Sequence, residues 1–283
     1  MDTAIAALRA GLAQGRVVPY LGPGVLALAG ADCPLPATPK ALVKHLTAKA
    51  SVPHKLHGNL TGAAQFIENF KHRKTVATAM REAFSPAVEP TALHAYLASL
   101  PALPLLVHAW YDDLPQRALA GRCDWGAVQG VSQAEHSGAW CHAFDAAGNL
   151  APIEAAADWA TLLYQPLGSV APAGNFLVSD SDFVEVLTEI DIQTPIPAEV
   201  QRRRAGRQFL FLGCRFDDQL TRTFARQVMK RSSDQHYAVL PETPSRNEAR
   251  FLEQQNIEVL ALPLGRFTAV LAGQATPVRA AAG

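Results

Sequence analysis

No stretch of the sequence approaches the ~20 consecutive apolar residues that span a bilayer, so no membrane-spanning helix is predicted. C-x-x-C pairs are missing as well. The four cysteines, Cys33, Cys123, Cys141 and Cys214, lack the spacing of a disulfide framework or a zinc site. They predict reduced thiols and a cytoplasmic location. An excess of one charge is also lacking: lysine plus arginine equals aspartate plus glutamate, 25 each. Such a balance gives no pull toward nucleic acid or an anionic membrane. The N-terminal MDTAIAALRAGLAQG carries acidic Asp2 and no basic segment ahead of an apolar one. It predicts a helix, not a secretion signal.

Apolar residues, by contrast, are plentiful. Of 283 residues, 49% are hydrophobic and 18% charged, enough for a sizeable core in one or two domains. Helical spacing of Ile5, Leu8 and Leu12 ends at Gly15, and VVPYL follows as a short strand. Residues 37–51, 61–84 and 90–101 again read as helices. Then PLLVHAW (104–110), TLLYQPLGS (161–169) and QFLFLGC (208–214) read as core strands. WGAVQGVS and AWCHAFDAAGNLAPI, between the first two of these, look like antiparallel strands. Downstream, Ser179 or Asp180 can cap a helix carrying Phe183, Val186, Leu187 and Ile190, and Pro197 suits the first turn of another. After 208 the order is strand, helix, strand, helix, strand. Such alternation predicts an α/β class with a Rossmann-like, mostly parallel sheet and helices on both faces. The expected layout is one domain over 1–275, with a helical insertion (31–101), a small β insertion (122–160) and a flexible tail (276–283). The basic runs KHRK (71–74) and RRRAGR (202–207) are expected on solvated helix faces, against the alternative of phosphate contact.

Ligands of open α/β sheets bind beyond the carboxyl ends of the strands. Four such ends stand out: Gly22-Pro23-Gly24; Ala109-Trp110-Tyr111-Asp112; Tyr164-Gln165-Pro166-Leu167-Gly168-Ser169; and Gly213 followed by Asp217 and Asp218. Glycines let a backbone approach a phosphate, and a following helix N-terminus favours its charge. In order and approximate spacing over residues 16–260, the set resembles the sirtuin-like family of NAD-binding domains. The resemblance is to the bacterial branch that lacks the zinc module. It implies an NAD- or ADP-ribose-type nucleotide along Gly22, Pro23, Gly24, Trp110, Tyr111, Asp112, Leu167, Gly168, Ser169, Gly213 and Asp217, with no metal.

Departures from the family pattern set the functional expectation. The resemblance puts the family's general-base histidine at Leu167, and an aliphatic side chain takes no proton. Losing such a base costs on the order of 10²–10⁴ in rate. A ribose-orienting asparagine falls at Trp110, whose indole donates one hydrogen bond and accepts none. The serine after the first glycines falls at Leu26, and Pro23 removes an amide donor. Three readings stand. A catalytically degenerate domain, a pseudoenzyme, binds a nucleotide or a protein partner in a regulatory or accessory role. Alternatively, an active NAD glycohydrolase uses displaced residues: His108 as base, on the face of Trp110 by strand alternation, and Asp112 as orienter. The third is a pure interaction module whose pocket Trp110 and Leu167 close. Trp125 and Trp140 then serve either as contact surface or as packing. Asp217 and Asp218 fit a helix cap and a solvated first-turn acid better than a catalytic pair. Cys123, Cys141, His142 and His136, or His54 with His57, give no converging metal set.

Overall fold

The computed structural model describes residues 2–133, 138–189 and 196–273. The readings at His136 and Ile190, the domain boundary at residue 275 and the tail 276–283 lie outside the described residues. Eleven strands are formed among those described: β1 (Val17–Leu21), β2 (Leu105–His108), β3 (Trp125–Gly130), β4 (Cys141–Asp145), β5 (Leu150–Ala151) and β6 (Thr161–Gln165), then β7 (Gly168–Ser169), β8 (Asn175–Phe176), β9 (Gln208–Leu212), β10 (His236–Val239) and β11 (Ile257–Leu260). Nine of them make one sheet in the order β11-β10-β9-β1-β2-β6-β3-β4-β5, and β7 and β8 pair separately. From β11 to β3 the neighbours run parallel, whereas β4 and β5 continue antiparallel. The strands of residues 122–160 thus extend the main sheet itself.

Every residue of β1, β2, β3 and β6 is buried, as expected of parallel strands covered on both faces. Alternation divides their side chains between two cores. Tyr20, Val107, Tyr164, Phe209 and Phe211 belong to one. There they meet α2 (Pro39–Thr47), α3 (Leu60–Lys71) and α4 (Arg73–Ala83) from the chain between β1 and β2. Leu21, Leu106, Leu163, Leu210 and Leu212 face the other way. They pack against α1 (Asp2–Ala13) and against α5 (Ala92–Ala98), which directly precedes β2. After β2 comes the short α6 (Leu114–Leu119). The C-terminal half adds α7 (Asp180–Glu189), α8 (Ala198–Arg204), α9 (Gln219–Met229), α10 (Arg246–Gln254) and α11 (Leu264–Leu271).

Polar residues fix the helix starts, at Asp218 and Ser179 as the sequence predicts and at Thr38 in addition. Thr38 Oγ1 accepts from Ala41 N–H at 3.1 Å, with Pro39 opening α2. Asp218 caps α9 through Thr221 N–H at 2.8 Å. At α7, Ser179 Oγ accepts from Asp182 N–H at 3.4 Å while Asp182 Oδ2 accepts from Ser179 N–H at 2.9 Å. That exchange has the logic of a capping box.

The run 202–207 departs from the solvated face expected of it, whereas in 71–74 Lys71, His72 and Lys74 are exposed as expected and only Arg73 turns inward. Arg203 and Arg204 are each 4% exposed. Arg203 donates to the carbonyls of Pro104 (2.7 Å), Ala156 (2.8 Å) and Trp159 (2.6 Å), and pairs with Glu199. Arg204 donates to Gln227 O (2.8 Å) and Val228 O (2.9 Å) in the last turn of α9. Arg73 bridges Asp182 at 2.8 Å and Glu68 at 3.2 Å, tying α4 to α3 and α7. The physical reason is the planar five-donor guanidinium, which satisfies several loop and helix-end carbonyls at once. Trp125 is also packed, at 4% exposure, and so offers no contact surface. Trp140 is half-buried.

Replacing Arg203 with Ala leaves the Ala156 and Trp159 carbonyls without its donors, while Pro104 O keeps the Leu162 N–H at 3.1 Å and Glu199 keeps Arg202. The expected cost is roughly 1–3 kcal/mol, as for an unsatisfied buried acceptor. Arg202→Ala, removing an exposed pair with Glu199, should cost no more than about 0.5 kcal/mol. Urea denaturation of the two variants measures the contrast.

Candidate functional site

β1 is followed on one side by β2, and the chain returns on the other side as β9. The crevice between the carboxyl ends of β1 and β9 is therefore the topological switch point, where an open sheet offers a ligand site. Here the two strand-end turns sit on each other. Gly22 N–H donates to Leu212 O at 2.9 Å and Gly24 N–H to Gly213 O at 2.9 Å. Pro23 has no amide hydrogen, and Val25 N–H closes back on Gly22 O at 3.2 Å. The glycines serve this contact. A Cβ on Gly22 would come within 2.7 Å of Gly213 O, and one on Gly24 within 2.9 Å of the same oxygen. Gly213 adopts φ +66°, and a Cβ there would lie 2.3 Å from Val25 N.

The end of β2 closes the adjoining space. Trp110 is 4% exposed, donates Nε1–H to Pro36 O at 2.8 Å, and meets Phe84 and Tyr111 with ring centroids 6.0 and 5.0 Å away. Tyr111 donates its hydroxyl to Leu177 O at 2.8 Å. Leu167 is buried in the same apolar cluster, and its carbonyl accepts from Leu177 N–H at 2.9 Å. Gly168 and Ser169 pair with Phe176 and Asn175 across β7 and β8. A cavity of about 10 Å³ lies nearby, between Gly130, Tyr164, Pro166 and Leu177. That is room for about one water molecule.

His108 stands on the opposite face from Trp110, which corrects the expected alternation. β2 stops at His108, and the chain turns before Trp110 joins the apolar cluster of Phe84. In register, His108 follows Val107, which pairs with Tyr164, and Gln165 pairs with Gln129. His108, Gln165 and Gln129 thus form a row across β2, β6 and β3 at the last position of the ladder. Gln165 Nε2 lies 3.4 Å from His108 Nδ1, and its Oε1 accepts from Gln129 (2.8 Å) and Gln116 (2.7 Å). His108 Nε2 lies 3.2 Å from Asp112 Oδ2, both side chains almost wholly buried. Asp112 Oδ1 accepts from Leu114 N–H at 3.2 Å. Burial pushes the Asp112 carboxyl up, but His108 and the hydrogen bonds outweigh it and hold it below the ordinary value. Ser169 Oγ donates to Asp112 O at 3.2 Å, tying the turn to β7.

The residues picked from sequence therefore fall into three groups. Gly22, Pro23, Gly24 and Gly213 form the mutual turn contact. Trp110, Tyr111 and Leu167 form an apolar plug. Asp112, Ser169 and His108 belong to a buried polar network, with Gly168 beside it in β7. Asp217 is exposed, apart from all three. Gln116 and Gln129 escaped sequence reasoning, and Gln165 was named within its strand end without a role, although a glutamine at the tail of an otherwise apolar strand, as in TLLYQ, was a legible signal. Among the described residues, no three His, Cys, Asp or Glu side chains converge on a metal-sized site.

A phosphate at this switch point needs free backbone N–H groups. Between Gly22 and Val25 each N–H already has a protein acceptor, so the turn does not fit a nucleotide phosphate. Gly213→Ala tests the contact. Backbone strain of roughly 1–3 kcal/mol and a comparable overpacking cost should lower the urea midpoint markedly. An unchanged midpoint would mean that the two turns are not in contact.

A model of the SIR2-like domain family matches residues 104–260, from the segment entering β2 to the end of β11. Among curated proteins, none matches. A solved structure from work on the mechanism and regulation of Sir2 enzymes is similar over 96% of each chain, at 13% identity and a TM-score of 0.41. With the family match spanning more than half of its length, this chain belongs to the SIR2-like domain family.

Proposed function

We propose that this SIR2-like domain is catalytically silent and acts in a regulatory or accessory role through its protein surface rather than through NAD. One observation carries the reading. Each N–H from Gly22 to Val25 that could receive a phosphate is engaged inside the protein. Two further features support it. At the position where the family resemblance implies a polar ribose-orienting residue, Trp110 is packed with its only donor bonded to Pro36 O. At the position implied for the general base, Leu167 is aliphatic and buried. An NAD- or ADP-ribose-binding form requires these elements to separate, breaking several hydrogen bonds and exposing apolar side chains.

The competing reading is an NAD glycohydrolase working through His108, and the 3.2 Å pair with Asp112 favours it. A carboxylate beside an imidazole orients the ring and stabilises its protonated form, as in hydrolytic triads. Against that stand the 2% exposure of both residues and the placement of His108 on the far side of the sheet from Trp110.

Isothermal calorimetry with NAD at two temperatures, combined with an assay for released nicotinamide, separates the readings. The expected result is no saturable heat at either temperature and no nicotinamide. Saturable heat without nicotinamide would replace the closed crevice with a nucleotide-binding, non-turning-over domain. Nicotinamide release abolished by His108→Ala would establish the enzyme.

A further inference from the structure

The start of α5 carries an unusual cap. Capping boxes place Glu or Gln at the third helical position, where the side chain accepts the N–H of the capping residue. In α5 that position is His94, 3% exposed. Its Nδ1 accepts Thr91 N–H at 3.3 Å and lies 2.9 Å from Thr91 Oγ1. Nδ1 can accept only while it carries no proton, so the neutral ring is held as the Nε2–H tautomer. An imidazolium Nδ1–H could still meet the Thr91 hydroxyl oxygen, but it would leave the backbone N–H without a partner.

α5 packs on α6, and the rest of its inner face, Leu93 and Leu97, is buried in the core. The titratable groups facing His94 are His108, from β2, and Asp112, from the turn after it. Beyond them, Arg117 of α6 and Asp112 both act on Asp113, which opens the α6 segment. α5 therefore lies over the buried His108–Asp112 pair, fastened at its start by an acceptor that a proton removes.

We propose that His94 is an acid-labile fastener: its protonation orphans the Thr91 N–H, frees the first turn of α5 and uncovers the His108–Asp112 pair.

Burial pulls the His94 imidazole down to about 4, with Asp112 opposing and His108 reinforcing the shift. A histidine lowered on folding stabilises the closed form fully above its free value near 6.5. That contribution is lost as pH falls from 6.5 toward 4. By linkage, the opening equilibrium of α5 should rise about 30-fold between pH 7.5 and pH 5. His236 is pulled down similarly, but its Nδ1 accepts Phe209 N–H between β9 and β10. Its protonation is read on those strands and not on α5.

Native-state hydrogen exchange of the amides of residues 92–98, corrected for intrinsic rates, tests the proposal at the two pH values. His94→Gln supplies a non-titrating acceptor at the same capping position. The expected result is a rise of about 30-fold in the native protein and of less than about 3-fold in His94→Gln. An equal rise in both, or none in the native protein, would overturn the fastener. A second measurement needs no variant. The ¹⁵N shifts of the His94 ring at pH 7.5 should report Nε2–H, and an Nδ1–H tautomer would overturn it equally.

Discussion

Two glycine turns occupying one another at the switch point set the character of this molecule. Gly22-Pro23-Gly24 and Gly213 come together so closely that a single Cβ at any of the three glycines would collide with backbone. The hydrogen bonds of Gly22 and Gly24 then extend the β1–β9 ladder past its end. An open α/β sheet ordinarily keeps this point free because diverging turns leave donors pointing into a crevice. Here the donors point into the neighbouring turn. Everything downstream conforms to that closure: the indole of Trp110 against Pro36, Tyr111 against Leu177, and Leu167 in the same apolar cluster.

The sheet has a polar side to this closure as well. At the last ladder position of β2, β6 and β3, His108, Gln165 and Gln129 replace the aliphatic residues that fill the earlier positions. Buried polar groups are costly unless each finds a partner. The network draws in Gln116 and Asp112, locking α6 and the turn after β2 to the sheet, and leaves one buried atom, Gln116 Oε1, without a partner. The His108–Asp112 pair sits almost wholly buried within this network. Its accessibility depends on α5, whose own fastening rests on another histidine. The arginines act likewise at the opposite end, where Arg203 and Arg204 gather carbonyls that the loops and the end of α9 leave open.

Much of the fold was legible in the sequence. Apolar runs such as VVPYL and FLFL marked buried parallel strands, and Ser179, Pro197 and Asp218 marked helix starts. The family match over 104–260 agrees with the resemblance and contains three of the four strand ends that carried it, all but Gly22-Pro23-Gly24. What could not be read were the relations set by turns. Strand alternation predicted His108 and Trp110 on one face because nothing in LLVHAW announces that the ladder stops at His108. The side of the sheet each occupies was fixed by the turn after it, held by Ala109 N–H on Leu21 O at 2.8 Å. The basic run 202–207 misled for a related reason. A basic cluster usually signals solvent, and only tertiary neighbours, the carbonyls of Pro104, Ala156 and Trp159, identify Arg203 as interior. Nor could glycine pattern alone tell a turn that receives a phosphate from one that receives another turn.

The closed crevice can be read directly at its own amides. Hydrogen–deuterium exchange of Gly22, Gly24 and Val25, followed in the free protein and with saturating ADP-ribose, reports whether those N–H groups already have partners. Strong protection in the free protein, unchanged by the nucleotide, is the predicted result. Rapid exchange that slows on adding ADP-ribose would contradict the account and return the switch point to its role as a phosphate site.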